Sequence, residues 1–308
     1  MRFAVIGAGG TGALLGASLQ QAGHDVAFLA RGIHLAAMKS DGLRIESERG
    51  NAHLHEVRAT DNAAEIGVVD AILFCVKLWD VESAGEQIRP LVGSETCLVP
   101  MQNGIDASER LIPILGINHI LGGVALLTGS IVAPGVVRQS GTHHGICFGE
   151  LDGTISDRAK AIENTCKAAG IDAVVSDNIN RERWQKFVGL VGAGAICALT
   201  RSSIGPIRKD PDISALIDEA MQEGIAVGRA AGIDLDSEAA DFWRSFLAKV
   251  PDSWAPSMAV DLAAGNRLEL PWLTGKVVDL GRQLGVPTPV NRVVYAALKP
   301  FAHGGQRR

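Results

Sequence analysis

Residues 2–19 read RFAVIGAGGTGALLGASL. A β-prone apolar run, RFAVIG, passes directly into Gly7-Ala8-Gly9-Gly10-Thr11-Gly12, a G-x-G-x-x-G, which opens a small-residue helical stretch over 11–22. In a chain with 36 glycines the bare pattern is weak. The context is what counts: between a strand and a helix, the glycines permit a tight turn, close approach of backbone to a pyrophosphate and close helix–strand packing. The helix N-terminus then turns unpaired N–H groups and its positive dipole end towards phosphates. Gly7, Gly9, Gly10, Thr11 and Gly12 are therefore predicted to bind a dinucleotide.

Outward from this loop, β-rich runs alternate with helical stretches: DVAFLA, then DAILFCVK with 80–90, then TCLVPMQNG with 106–112. That alternation predicts an α/β domain built on a parallel sheet. From Gly135 the texture changes to GVVRQS, HGICFGE and IDAVVSD, which read as added edge strands around a helix at 155–168. His143 and His144 read as a strand-end pair in a hairpin. Beyond Asp177 nearly every segment is helical, so the predicted domains are 1–177, nucleotide-binding, and 178–308, all-helical and serving substrate and dimerisation. A length of 308 residues suits two domains.

Composition narrows the function classes. Apolar residues make up 47% and charged residues 20%, a globular balance, and no stretch approaches the ~18 uninterrupted apolar residues of a membrane span. The opening MRFAVIGAGG is too short and glycine-rich for a secretory signal, so a cytoplasmic location with no membrane partner is expected. A net charge of −5 argues against nucleic acid, which needs a clustered basic face; the one concentrated positive charge, Gln306-Arg307-Arg308, reads as a frayed tail. Five scattered cysteines with no C-x-x-C spacing suggest neither a disulfide framework nor a metal site, and read as buried reduced thiols.

The second strand bears on which dinucleotide binds. Sites that take NAD end this strand in an acidic residue that holds the ribose 2′-hydroxyl, whereas DVAFLARG ends in Arg31. A guanidinium there would meet a 2′-phosphate with charge-assisted hydrogen bonds, which favours NADPH. Lys77 in FCVKLWD, and Gln102 and Asn103 in VPMQNGID, follow later strands, where ligands bind in open α/β sheets.

Hydride transfer to a carbonyl leaves charge on oxygen, so an acid must be supplied there. Residues 182–199, ERWQKFVGLVGAGAICAL, are almost wholly apolar or small after Trp184, yet Lys186 sits near their start. A buried ammonium is costly without compensation. Lys186 is the candidate acid, expected to face a cleft between domains. Its candidate partner is Glu269, which begins an amphipathic helix with Pro271 in the first turn. Ser257 and Asp261, in APSMAVDL, read as polar residues at a helix start.

Together these pieces resemble the ketopantoate reductase (2-dehydropantoate 2-reductase) family: the N-terminal glycine loop, V-K-x-W at Val76–Trp79, Q-N-G at 102–104, the Trp184–Lys186 helix, P-S-M at 256–258, the Glu269 helix and G-V-P-T-P at 285–289. Their order and spacing are more specific than any one of them. The resemblance implies a Rossmann domain, an all-helical C-terminal domain and NADPH-dependent reduction of a small 2-keto acid. It implies that Lys186 protonates the carbonyl oxygen, that Glu269 helps hold Lys186 and a substrate hydroxyl, that Ser257 contacts the substrate carboxylate, and that Asn103 and Lys77 line nicotinamide and substrate. It also implies asparagines one and two turns beyond the lysine, where this chain has Leu190 and Gly194. Ketopantoate is the first expected substrate; the alternatives are another 2-keto acid or a non-catalytic NADPH-binding sensor. The helical domain is compatible with a homodimer.

Overall fold

The computed structural model describes residues 1–236 and 238–305; the basic Gln306-Arg307-Arg308 lies outside the described residues. The chain divides into two compact units, Met1–Glu182 and Arg183–Arg308.

The first unit holds ten strands: β1 Arg2–Ile6, β2 Asp25–Leu29, β3 Leu43–Glu46, β4 Ala52–Leu54, β5 Arg58–Thr60, β6 Ala71–Phe74, β7 Cys97–Pro100, β8 Gly122–Ala133, β9 Val136–Gly149 and β10 Asp172–Val175. Its helices are α1 Gly10–Gln21, α2 Gly32–Asp41, α3 Val81–Gln87, α4 Ala107–Leu115 and α5 Asp157–Ala168, and α6, Ile179–Gly189, carries the chain into the second unit. One sheet is parallel throughout in the order β5-β2-β1-β6-β7. Its central strands are continuous apolar runs because both faces are covered: Phe3, Ala4, Val5 and Ile6 are each at most 1% exposed.

The predicted edge strands do not extend that sheet. They form a second one, in which β9 pairs with β8 along its length and, on its other side, with β3 and β10. GVVRQS and HGICFGE are parts of the single strand β9. Helix α1 packs against strands of both sheets, which is why Gly12 through Ala17 and Leu19 are all buried and no polar stripe marks an exposed face. His143 and His144 lie inside β9 rather than at a strand end. His144 is 5% exposed, with Nε2 2.9 Å from Ser18 Oγ on α1.

The second unit is helical: α7 Ala195–Thr200, α8 Ile204–Lys209, α9 Pro211–Ala230, α10 Ala239–Lys249, α11 Ser257–Ala264, α12 Thr274–Leu284 and α13 Pro289–Leu298. The long α9 starts cleanly because the Asp210 carboxylate accepts the N–H groups of Asp212 and Ile213 at 3.0 Å, with Pro211 in the first turn. Further along α9, the Glu223 carboxylate accepts Val290 N–H at 2.7 Å and Asn291 N–H at 2.9 Å, and so ties down the start of α13.

Two local departures bear on function. The run 182–199 is not one regular α-helix: Leu190–Gly194 form a π-helical turn between α6 and α7. Its small residues let neighbours press in, since a Cβ at Gly189 would lie 1.8 Å from the Trp243 ring and one at Gly192 2.4 Å from Met221. Likewise Glu269 does not begin the amphipathic helix. It precedes a 3-10 turn, Leu270–Trp272, and α12 starts only at Thr274.

Candidate active site

In the first unit the glycine loop leaves β1 at the point where strand order reverses, β2 lying on one side and β6 on the other. Open α/β sheets bind ligands at such a switch point. Each glycine has a separate physical task. Gly7 has φ +90°, a left-handed conformation that an L side chain rarely adopts. Gly9 precedes α1, and a Cβ there would meet nothing within 4 Å, so its backbone is open to a ligand. Gly12 packs helix on strand, its Cβ position lying 2.2 Å from Gly7 O and 2.8 Å from Val5 Cγ1. Gly10 differs: it closes on β8, with a Cβ placed 1.9 Å from Gly129 O. No side chain caps α1 and its first turn, which includes Thr11, carries no acid, so its N–H groups and dipole fit a pyrophosphate.

Arg31 lies just beyond β2, at the N-cap of α2, and its side chain is 80% exposed. The sequence did not reveal its partner: Arg31 Nη2 donates to Asp80 Oδ2 at 2.6 Å. Asp80 ends the 3-10 turn Leu78–Asp80 that follows β6, and exposed Lys77 precedes that turn, its Nζ 5.7 Å from the Trp79 ring centroid. That loop is held by the buried Gln102, whose Nε2 donates to Phe74 O at 2.8 Å and Val76 O at 3.0 Å. The neighbouring Asn103 is partly buried in the loop after β7.

In the second unit Lys186 is partly buried in the last turn of α6, four residues before the π-helical turn begins at Leu190. Burial pushes its ammonium down from 10.5 to about 8, opposed by the negative charge of Glu269. Glu269 is itself 6% exposed, and its carbonyl accepts the N–H groups of Trp272 and Leu273 at 3.0 and 3.2 Å. A π-helical turn widens the helix by one residue and is frequent at functional sites. In a regular helix residue 194 would lie ~80° around the axis from residue 186; one inserted residue reduces that to ~20°. Gly194 therefore comes closer to the Lys186 face than regular spacing predicts, and a Cβ there would meet only Pro256 Cβ, at 3.9 Å. Ser257 follows that proline as the first residue of α11; it is exposed and does not cap the helix. Asp261, one turn on, accepts Asn266 Nδ2 at 3.1 Å.

The chain matches "Ketopantoate reductase PanE/ApbA" over residues 3–153 and "Ketopantoate reductase PanE/ApbA C terminal" over residues 178–302. It belongs to the ketopantoate reductase family. A 2-dehydropantoate 2-reductase from Mesorhizobium japonicum is 31% identical over 323 residues, covering 98% of this chain and 98% of the relative. The crystal structure of a 2-dehydropantoate 2-reductase from Geobacter metallireducens superposes with a TM-score of 0.92 at 29% identity, covering 97% of this chain and 99% of the other. A D-mandelate dehydrogenase solved with NADH and anilino(oxo)acetate has a TM-score of 0.91 at 21% identity, covers 98% of each chain and shows the shared fold alone. Family membership makes this chain a dinucleotide-dependent oxidoreductase acting on CH–OH groups. No helix among the described residues is long and apolar enough to cross a membrane. Cys97, Cys147, Cys166 and Cys197 are buried and unpaired, and Cys75 is half-buried and unpaired.

Proposed function

We propose that this chain reduces a 2-keto acid to a 2-hydroxy acid with NADPH, ketopantoate being the first substrate to test. The observation that carries the reading is Lys186, an ammonium on α6 at the head of the buried apolar run Phe187-Val188-Gly189, brought down to about 8 by burial against the charge of Glu269. Bound NADPH supplies the hydride. Lys186 Nζ gives a proton to the carbonyl oxygen as the carbon is reduced, and the neutral amine left behind regains a proton from solvent. An acid with a value near 8 is still mainly protonated at neutral pH, and gives up its proton more readily than an ordinary lysine. Glu269 favours the charged form and so keeps the acid loaded. Ser257 contributes an uncommitted hydroxyl for the substrate carboxylate, and Asn103 and Lys77 border the nicotinamide and substrate. The test is NADPH oxidation with a panel of 2-keto acids. A chain that binds NADPH yet oxidises it with none of them is a sensor, and the reading is wrong.

Arg31 is assigned to the 2′-phosphate. Hydrogen bonds to a charged group contribute ~1.5–3 kcal/mol, so Arg31→Ala is expected to weaken NADPH roughly tenfold or more and NADH little. Equal losses for both would refute the assignment.

A second reading, another 2-keto acid, draws on Leu190 and Gly194. Both lack hydrogen-bonding side chains, and a Cβ at Gly194 would meet no neighbouring element nearer than Pro256 Cβ, at 3.9 Å. A site that pairs a substrate hydroxyl rejects analogues far better than an apolar wall does. Unhydroxylated branched 2-keto acids are therefore expected to rival or exceed ketopantoate in kcat/KM, and Leu190→Asn to shift the ratio towards ketopantoate. A strong native preference for ketopantoate, unmoved by the asparagine, would show that other residues read the hydroxyl.

A further inference from the structure

Asp80 occupies the N-cap position of α3, where an aspartate ordinarily accepts an N–H of its own helix. It makes no such bond. Its carboxylate turns instead to Arg31, distant in sequence, and accepts Nη2 at 2.6 Å. The two residues meet because β2 and β6, which they follow, flank β1 on opposite sides. The pair is lopsided: the Arg31 side chain is 80% exposed and that of Asp80 22%, so the guanidinium is the partner free to swing away. Arg31 heads a helix with no side-chain cap and no acid in its first turn, and among the described residues Asp80 is its one ion-pair partner.

We propose that Asp80 sets the chain's discrimination between 2′-phosphorylated and unphosphorylated dinucleotides by competing with the 2′-phosphate for the Arg31 guanidinium. The proposal rests on the reading in which Arg31 meets that phosphate. A phosphate arriving at Arg31 must compete with a carboxylate already hydrogen-bonded to Nη2 and sharing the guanidinium's charge, whereas NADH, with a hydroxyl at that position, leaves the pair intact. The preference for NADPH is accordingly narrower than a free arginine would give.

Binding without substrate tests this directly, with dissociation constants for NADPH, NADH and adenosine 2′,5′-bisphosphate measured by fluorescence titration or competition. Asp80→Asn is expected to tighten NADPH and the bisphosphate about three- to five-fold, the equivalent of an exposed ion pair that no longer has to be broken. NADH is expected to stay unchanged, which also reports that the variant is folded. In an Arg31→Ala background the gain is expected to vanish. Unchanged or weaker NADPH binding, or an equal gain for NADH, overturns the proposal. If Arg31→Ala discriminates between NADPH and NADH while Asp80→Asn moves nothing, only the role of Asp80 fails. If Arg31→Ala weakens both cofactors equally, the 2′-phosphate reading fails and the role of Asp80 with it.

Discussion

Lys186→Ala is expected to lose turnover by ~10²–10⁴-fold, the usual contribution of a positioned general acid, while retaining its affinity for NADPH. Every residue assigned to the dinucleotide lies in the first unit and Lys186 lies in the second, so binding and turnover should separate. The pH profile adds a signature that a merely structural lysine would not produce. Reduction needs the protonated amine, so kcat should be flat below about 8 and fall above it, where Lys186 loses its proton. Oxidation of the hydroxy acid needs the neutral amine and should rise through the same range. Because the Glu269 charge raises the lysine's value, Glu269→Gln should move the falling limb to lower pH. A stability term accompanies this. The folded lysine releases its proton near 8 and the unfolded one near 10.5, so between these values the unfolded chain binds more protons and folding stability rises with pH. A Lys186→Ala variant that keeps most of its turnover, with an unshifted profile, would remove the lysine from the chemistry.

Gly10→Ala carries the second large expected effect. Its Cβ would fall 1.9 Å from Gly129 O, 2.2 Å from Gly129 C and 2.8 Å from Ser130 N, all backbone atoms of β8 that cannot rotate away. Overpacking of this kind costs ~1–3 kcal/mol or more. It acts at the first residue of α1, so melting temperature and dinucleotide affinity should fall together, the affinity by roughly tenfold or more as the helix N-terminus is displaced from the phosphate. Gly9→Ala is the matched control. Nothing of the protein lies within 4 Å of its Cβ position, so it should leave the melting temperature unchanged and weaken dinucleotide binding alone, by obstructing the ligand's approach. Equal behaviour of the two variants would mean that neither glycine does what its surroundings indicate.

Much of the first unit is legible because its signals are local. RFAVIG, DVAFLA, DAILFCVK and TCLVPMQNG become β1, β2, β6 and β7, each ending where a glycine or a loop begins. Strands β3, β4 and β5 contain only four, three and three residues, too short for alternation to stand out. Strand β8 is rich in glycine because other backbones pass close to it: a Cβ at Gly123 would lie 2.3 Å from Pro100 O and one at Gly129 3.0 Å from Gly10 O.

The sequence by itself determined the α/β and helical halves, the glycine loop and the odd lysine, because periodicity, turn chemistry and a misplaced charge are properties of neighbours along the chain. Tertiary structure alone decided four things. It placed β8, β9 and β10 in a sheet of their own with β3 and β4, since partner choice depends on which faces remain to be covered. It set a π-helical turn after Lys186, where Trp243 and Met221 press on Gly189 and Gly192 and no residue in LVGAG signals the change. Burial, with Glu269 acting across the second unit, brought the lysine to about 8. Strand order joined Arg31 to Asp80, because a long-range ion pair exists only once the chain between its members has folded.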